Sequence, residues 1–162
     1  MTVKTGDRMP DATIFKMGAD GGPEAVATGD FFRGRRVVVF GLPGAFTRTC
    51  SARHLPGFVA QADAIKARGV DEIACVSVND AMVMTAWGQA HGADGKVTML
   101  SDGNCELTDR LGLASDMSAK GYGRRSKRYA MIVDDGVVSH FAPETAPGLD
   151  VSSAEKVLEA LG

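Results

Sequence analysis

The chain has 162 residues and a formal net charge of −2, with 44% hydrophobic and 23% charged residues. This composition is typical of a single globular domain, residues 1–162, and argues against a nucleic-acid-binding surface. No apolar run approaches the roughly 20 residues of a membrane span, and the N-terminal residues lack an apolar signal region. Three widely spaced cysteines do not indicate a disulfide framework, so we expect free thiols in the cytoplasm.

The first third of the chain predicts a buried strand that ends abruptly. Residues 1–30 are rich in Gly, Asp and Pro and predict extended and turn structure. Residues 37–42 then form a continuous apolar run, as expected for a strand covered on both faces. Residues 43–46, Pro-Gly-Ala-Phe, interrupt this strand.

A helix is predicted to begin at residues 47–50 and to end near Gly69, a natural C-terminal stop. Pro56 lies inside it and predicts a kink or a π-bulge near residues 52–57. One apolar stripe identifies the buried face: Leu55, Phe58, Val59, Ala62 and Ile65.

The rest of the chain alternates strands and helices. Predicted strands are 72–78 and 97–100, predicted helices are 81–91 and 105–111, and a hairpin joins 128–134 to 137–141 around Asp135-Gly136. A capping box from Ser152 to Glu155 is predicted to open a last helix that runs through Leu161. This order indicates an α/β fold with a mixed central β-sheet flanked by helices.

Cys50 is the residue most clearly placed for chemistry. A thiol in the first turn of a helix meets free backbone N–H groups and the positive end of the helix dipole, which stabilise a thiolate. The plain alternative is a small buried hydrophobe, the commonest role of a lone cysteine. Pro43 and Thr47 complete a P-x-x-x-T-x-x-C pattern, in which Thr47 is either a hydroxyl for the site, a helix N-cap, or both.

The segment 41–51, Gly-Leu-Pro-Gly-Ala-Phe-Thr-Arg-Thr-Cys-Ser, followed by His-Leu-Pro-Gly-Phe at 54–58, resembles the active-site segment of type II peroxiredoxins. The group includes the atypical mammalian and the plant enzymes. The resemblance extends to Cys-Val-Ser-Val-Asn-Asp at 75–80, Trp-Gly at 87–88, Arg-Arg-Ser-Lys-Arg-Tyr at 124–129, and the Asp135-Gly136 turn.

This resemblance implies a thioredoxin-like fold and a thiol-dependent peroxidase that needs no cofactor or metal. Cys50 would be the peroxidatic cysteine that attacks hydrogen peroxide or an alkyl hydroperoxide and becomes a sulfenic acid. Negative charge builds on the departing oxygen, so Thr47, backbone N–H groups near Cys50 and one arginine would contact the peroxide. Pro43, Gly44, Phe46 and Thr49 would form the substrate pocket.

The choice of arginine is open from the residues alone. Arg124, Arg125, Lys127 and Arg128 together are most simply a solvated charged face. Arg128 begins a predicted strand, and the catalytic arginine of the family aligns with it. Arg48 and Arg53 lie near Cys50 in sequence but could equally face solvent.

The other two cysteines are less clearly placed for chemistry than Cys50. Cys75, in the middle of a predicted strand, is expected to be a buried core thiol, and Cys105, near a predicted helix start, to be partly exposed and somewhat reactive. His54 shares the helix face of Cys50, and we expect it to serve packing or a dimer contact rather than to act as a base.

In atypical two-cysteine relatives the resolving cysteine precedes the last helix, and residues 147–151 here contain none. This departure from the two-cysteine pattern favours a one-cysteine cycle in which glutathione, glutaredoxin or thioredoxin reduces Cys50 directly. The resemblance also favours a homodimer.

Other enzyme classes fit less well. A thioredoxin-type dithiol needs C-x-x-C, but position 53 is Arg, and a cysteine phosphatase needs C-x₅-R, but position 56 is Pro. Gly-Tyr-Gly at 121–123 lacks the third glycine of a dinucleotide fingerprint, and no His, Cys and Asp cluster has zinc spacing. A redox sensor or chaperone switched by oxidation of Cys50 remains the non-enzymatic alternative, and turnover would distinguish it.

Overall fold

The computed structural model describes residues 2–162 and contains a mixed seven-stranded sheet and a separate two-stranded sheet. In chain order the strands are β1 (Thr13–Met17), β2 (Pro23–Ala27), β3 (Arg36–Gly41), β4 (Glu72–Ser77), β5 (Thr98–Ser101), β6 (Ala114–Asp116), β7 (Arg124–Ser126), β8 (Tyr129–Asp134) and β9 (Val137–Pro143). The large sheet has the order β2-β1-β5-β4-β3-β8-β9, and the small sheet pairs β6 with β7. The helices are α1 (Thr28–Phe32), α2 (Leu55–Lys66), α3 (Ala81–Ala90), α4 (Glu106–Leu111) and α5 (Ala154–Leu161).

The centre of the sheet mixes parallel and antiparallel pairs. β4 lies parallel to both β3 and β5, whereas β8 is antiparallel to β3 and to β9. The predicted α/β class with a mixed central sheet is therefore confirmed. The hairpin predicted around Asp135-Gly136 is also confirmed, and Asp135 and Gly136 both have positive φ, as a tight turn between two strands requires.

Apolar side chains cover both faces of the sheet. Val38 and Phe40 of β3 pack on one face with Phe58 of α2, and their strand neighbours Val37 and Val39 belong to the core on the other face. This explains the continuous apolar run in the sequence: neither face of the strand meets water.

The helix that carries Cys50 begins with a wide turn. Residues Cys50–His54 form a π-helical turn, and the N–H of Leu55 donates to the carbonyl of Cys50, five residues earlier. Pro56, which has no N–H to donate, follows directly, and α2 continues from there with its predicted apolar stripe. The predicted π-bulge is confirmed, and Gly69 has a φ of 86° just beyond the helix.

Three local predictions were incomplete or wrong. The first 30 residues hold the hairpin β1–β2 and also the short helix α1, and the small sheet β6–β7 was missed because its strands are only three residues long. The cap of α5 is Ser153, whose side chain accepts from the N–H of Lys156, and not Ser152. The Ser152 hydroxyl instead donates to Glu144, a partner that is distant from the helix start in sequence.

Within residues 2–162, none of the helices is both long enough and apolar enough to cross a bilayer.

Candidate active site

Strand register brings Arg128 to Cys50, although 78 residues separate them. Gly41, the last residue of β3, lies opposite Tyr129, the first residue of β8. A Cβ at Gly41 would overlap the Tyr129 ring, so glycine is the residue that allows this close approach. Arg128, the residue directly before β8, therefore lies beside the point where the chain leaves β3 for the loop that leads to Cys50.

Cys50 and Arg128 form the centre of the candidate site. Cys50 is fully buried, and Nη2 of Arg128 donates to its sulfur at 3.1 Å. A guanidinium is always a donor and always charged at ordinary pH, so this contact stabilises a thiolate more than a thiol. Within an otherwise apolar cluster, the guanidinium is therefore the charged donor that the Cys50 sulfur contacts.

His54 holds the second branch of the Arg128 guanidinium. Nη1 of Arg128 lies 2.8 Å from Nδ1 of His54, and Nε2 of His54 lies 3.0 Å from the carbonyl oxygen of Ser152. The carbonyl can only accept and the guanidinium can only donate, so the imidazole must be the neutral Nε2–H tautomer. Burial, and then the charge of Arg128, lower the pKa of His54 to about 3, against a smaller opposing effect of the Ser152 hydrogen bond.

The structure agrees with one of the two roles expected for His54 and not with the other. The side chain is 1% exposed and packs against Phe40 and Phe58, which agrees with a packing role but leaves no surface for a dimer contact. Its link to Arg128 was missed. The only available signal was its position on the Cys50 face of the helix, because the partner comes from a distant strand.

The segment after β9 completes this network. One carboxylate oxygen of Glu144 accepts from the backbone N–H and the hydroxyl of Ser152 at 2.9 and 2.7 Å, and from the N–H of Asp150 at 2.8 Å. Burial raises the pKa of Glu144, but these hydrogen bonds outweigh it and leave the pKa lowered overall. The N–H of Glu144 in turn donates to the carbonyl of Arg128 at 2.9 Å. Glu144 thus links the backbone of Arg128 to Ser152, whose own carbonyl orients His54.

The loop 43–47 forms the other side of the site. The Thr47 hydroxyl lies 2.7 Å from the Gly44 carbonyl, which can only accept, so Thr47 donates its hydrogen there. Its oxygen lone pairs remain available to accept a hydrogen bond from a substrate. Phe46 has a φ of 63°, an uncommon conformation for a residue with a side chain, and its ring is 58% exposed. Gly44 is buried and Pro43 and Thr49 are half-buried.

Arg125, which the sequence places on a solvated face, contacts the loop 43–47 instead. Its Nη1 donates to the Pro43 carbonyl at 3.1 Å, and its Nε donates to the Tyr122 carbonyl at 2.9 Å. The guanidinium lies directly over Gly44, where a Cβ would collide with it. Arg125 therefore contacts the active-site loop, whereas Arg124 forms an ion pair with Asp109.

Arg48 and Arg53 are exposed, so helical geometry turns both toward solvent. On the far side of Cys50, the indole N–H of Trp87 donates to the Ser51 hydroxyl at 2.9 Å and ties the helix start to α3.

The remaining thiols differ from Cys50 in their surroundings. Cys75, on β4, is fully buried, and burial raises the pKa of its thiol well above the ordinary value, with Cys50 raising it further and Arg128 opposing. Cys105 is 7% exposed rather than partly open, and it directly precedes α4 instead of lying in it. Burial, then Asp109 and Asp102, raise the pKa of Cys105 while Arg124 opposes them, and the expectation that this thiol is partly exposed was wrong.

Over residues 2–162, no group of three or more His, Cys, Asp or Glu side chains is placed to hold a metal ion.

The fold agrees with the comparisons with known proteins. The Redoxin family profile matches residues 4–158. Rice Peroxiredoxin-2E-2, chloroplastic, is 50% identical, and the alignment covers 99% of this chain and 73% of the rice protein. Peroxiredoxin-2B of Arabidopsis thaliana is 42% identical over 98% of both chains. Reduced Prx3 of Vibrio vulnificus, described in complex with H2O2, superposes with a TM-score of 0.95 and 45% identity, covering 99% of this chain and 100% of the other.

These matches define a redoxin with a thioredoxin-like fold. The chain belongs to the type II peroxiredoxins, and it is a thiol-dependent peroxidase. The resemblance seen in the sequence is confirmed, and the redox sensor or chaperone alternative is not favoured.

Proposed function

We propose that Cys50 is the peroxidatic cysteine and that Arg128 and Thr47 position hydrogen peroxide or an alkyl hydroperoxide against it. The observation that carries this is the 3.1 Å contact between Nη2 of Arg128 and the Cys50 sulfur. Cys50 begins a helix and is fully buried beside this guanidinium, whereas Cys75 lies in the middle of β4. The Vibrio relative, described with H2O2 bound, supports this class of substrate.

In the proposed step the Cys50 thiolate attacks the terminal peroxide oxygen. A sulfur–oxygen bond forms, the oxygen–oxygen bond breaks, and the departing oxygen takes a proton and leaves as water or an alcohol. The products are Cys50 sulfenic acid and the reduced peroxide, so sulfur is oxidised by two electrons and the peroxide is reduced by two. Arg128 donates toward the oxygens as charge moves onto them.

Thr47 has the complementary role in this proposal. Its hydroxyl hydrogen is committed to the Gly44 carbonyl, so its oxygen accepts the O–H of the incoming peroxide and aims the terminal oxygen at sulfur. Pro43, Gly44, Phe46 and Thr49 line the approach, with Pro43 excluding water from one side.

We further propose that an external thiol, from glutathione, glutaredoxin or thioredoxin, reduces the sulfenic acid. Cys75 is an unsuitable resolving thiol because burial raises its pKa well above the ordinary value and keeps it protonated. Cys105 is likewise buried with a raised pKa, and residues 147–151 contain no cysteine.

One experiment tests the recycling proposal. The protein is treated with one equivalent of peroxide with and without glutathione, its thiols are blocked, and the peptides are mapped by mass. We expect Cys50 as a sulfenic acid or a glutathione adduct, with Cys75 and Cys105 free. An abundant intrachain disulfide from Cys50 to either thiol would refute the external cycle, and turnover assays with glutaredoxin plus glutathione and with thioredoxin, side by side, identify the reductant.

We propose that residues 1–162 act as one domain that forms a homodimer around the active-site face. Phe46, on the active-site loop, and Met82, on α3, are exposed by 58% and 52%, and Phe46 lies against Trp87 of the same helix. Exposed apolar side chains gathered near one site are typical of an interface. Sedimentation velocity should show a dimer that Phe46→Asp converts to a monomer, and a monomeric wild type would contradict this.

A cytoplasmic location is part of the same proposal and rests on the free thiols, which suit a reducing compartment. Rice Peroxiredoxin-2E-2 is chloroplastic by name, so fractionation of the native cells is the test, and recovery in an organelle would overturn it.

A further inference from the structure

Asn79 joins the active-site loop to the end of the central sheet. It lies just beyond β4, and β3 and β4 are parallel neighbours, so the segments that follow them emerge at the same edge. Its side-chain oxygen Oδ1 accepts from the backbone N–H of Ala45 at 3.0 Å and from the hydroxyl of Ser77 at 2.6 Å. Ala45 is the middle residue of the loop 43–47 that contains Thr47.

The Ala45 contact matters because it holds the middle of the loop, whereas Arg125 holds its beginning at Pro43. Ala45 is 9% exposed, and a buried N–H without an acceptor is costly. The next residue, Phe46, has its positive φ of 63°, a conformation that persists only where its surroundings enforce it. The residue after that is Thr47. Asn79 therefore holds the loop directly before the strained residue and the hydroxyl that contacts substrate.

Asn79 is itself rigidly held. Its backbone carbonyl accepts from the hydroxyl of Ser101 at 2.6 Å, and Ser77 and Ser101 are both buried, at 0% and 2% exposure. Asp80, the next residue, caps α3 through the N–H of Val83 at 2.8 Å. Because the backbone around Asn79 is held in this way, its side-chain oxygen transmits the position of the sheet edge to the loop.

We propose that Asn79 is a positioning residue of the peroxidase reaction, and that its Oδ1 sets the place of Thr47 relative to Cys50 by holding Ala45. This inference rests on the proposed role of Thr47. Displacement of a positioning group by about 1 Å costs up to roughly 10²-fold in rate, so a single lost hydrogen bond in the loop is enough to matter.

The test separates peroxide positioning from general thiol reactivity. Oxidation of Cys50 by hydrogen peroxide is followed by stopped flow through the single tryptophan, Trp87, which contacts Ser51 beside Cys50. Alkylation of Cys50 by iodoacetamide is followed in parallel, because it takes place at the same sulfur but needs no peroxide geometry. The ratio of the two rate constants is the readout, and a loss of folded protein or of thiolate lowers both rates together.

Asn79→Leu keeps the size of the side chain and removes the acceptor, and we expect the ratio to fall roughly 10- to 100-fold. Asn79→Asp keeps an oxygen for Ala45 and Ser77 and should keep the wild-type ratio. Asn104→Leu, the same change at the chain's other asparagine in an exposed turn, is the matched control and should leave the ratio unchanged. Asn79→Ala, measured alongside, provides a second variant without the acceptor if the leucine is not accommodated.

An unchanged ratio in Asn79→Leu or Asn79→Ala would overturn the proposal, as would a ratio in Asn79→Asp as low as in Asn79→Leu. A failure of the underlying function looks different: the wild-type protein itself would then show no oxidation of Cys50 by peroxide.

Discussion

Cys50 and Cys75 are the same residue type in two regions of one core. Both are fully buried, and both belong to the apolar cluster between the sheet and α2. Cys50 begins a helix and accepts a hydrogen bond from Arg128, whereas Cys75 sits mid-strand, where burial raises its pKa well above the ordinary value. Burial therefore does not distinguish these two cysteines, and the guanidinium hydrogen bond to Cys50 does.

The comparison also shows what such a donor requires. A hydrogen bond to a charged group contributes about 1.5–3 kcal/mol, but only if the donor stays in place. Arg128 is held by His54, and His54 by the Ser152 carbonyl, so the guanidinium cannot turn toward water without breaking a second contact. The region of Cys75 contains no comparable network among the hydrogen bonds of residues 2–162.

The largest expected difference between the two cysteines appears when the sulfur itself is removed, first from Cys50 and then from Cys75. Cys50→Ser should abolish peroxide turnover, because an alcohol at this position has neither the acidity nor the nucleophilicity of a thiol. Cys75→Ser and Cys105→Ser should each keep a substantial fraction of the activity. Steady-state peroxidase assays measure all three, and comparable activity in Cys50→Ser would remove Cys50 from the reaction.

The second effect removes the two proposed peroxide contacts, one donor and one acceptor, and keeps the sulfur. Arg128→Ala and Thr47→Val should each lower the rate of Cys50 oxidation by about 10²–10³, the usual cost of losing one preorganised contact to a reacting oxygen. Stopped-flow oxidation measures the rate, and circular dichroism verifies the fold.

Arg124→Ala is the matched control for this prediction, because Arg124 is exposed and paired with Asp109. If Arg124→Ala or Arg125→Ala proves crippling while Arg128→Ala is silent, the guanidinium contact at Cys50 is not the catalytic one.

The smallest expected effect is on stability, and it tests whether the buried imidazole of His54 is neutral. The folded pKa of His54 is about 3, below the ordinary value of about 6.5, so the unfolded chain binds a proton between these limits that the folded chain does not. Stability from the neutral His54 is thus complete above about pH 6.5 and is lost as pH falls toward 3. At about pH 5 the loss is about 2 kcal/mol, equivalent to roughly 4–8 °C in Tm.

His54→Gln does not titrate and can still accept from Arg128 and donate to Ser152. Its Tm should therefore fall less than that of the wild type when the pH is lowered from about 7 to about 5, as measured by calorimetry. His140→Gln is the control for an imidazole that is half-exposed on β9. Parallel Tm curves for the wild type and His54→Gln would mean that His54 is already charged or exposed in the folded state.

Local patterns in the sequence were reliable wherever a single segment decides the outcome. The apolar run of β3, the π-turn before Pro56 and the hairpin at Asp135-Gly136 are each governed by neighbouring residues, and all three were predicted. The α5 cap failed for the opposite reason. Ser152 and Ser153 are equivalent as local caps, and Glu144, outside the local window, engages Ser152.

The sequence by itself determined the class of fold, the placement of Cys50 at a helix start, and the family, because these depend on short-range periodicity and on a contiguous motif. Only the tertiary structure decided which side chains surround the sulfur. The antiparallel pairing of β3 and β8 brings Arg128 to the Cys50 sulfur, and the parallel pairing of β3 and β4 brings Asn79 to the loop 43–47. The segment after β9 contains the Ser152 carbonyl that orients His54. Register is set by how two distant strands bury their apolar faces together, and no single segment contains that information.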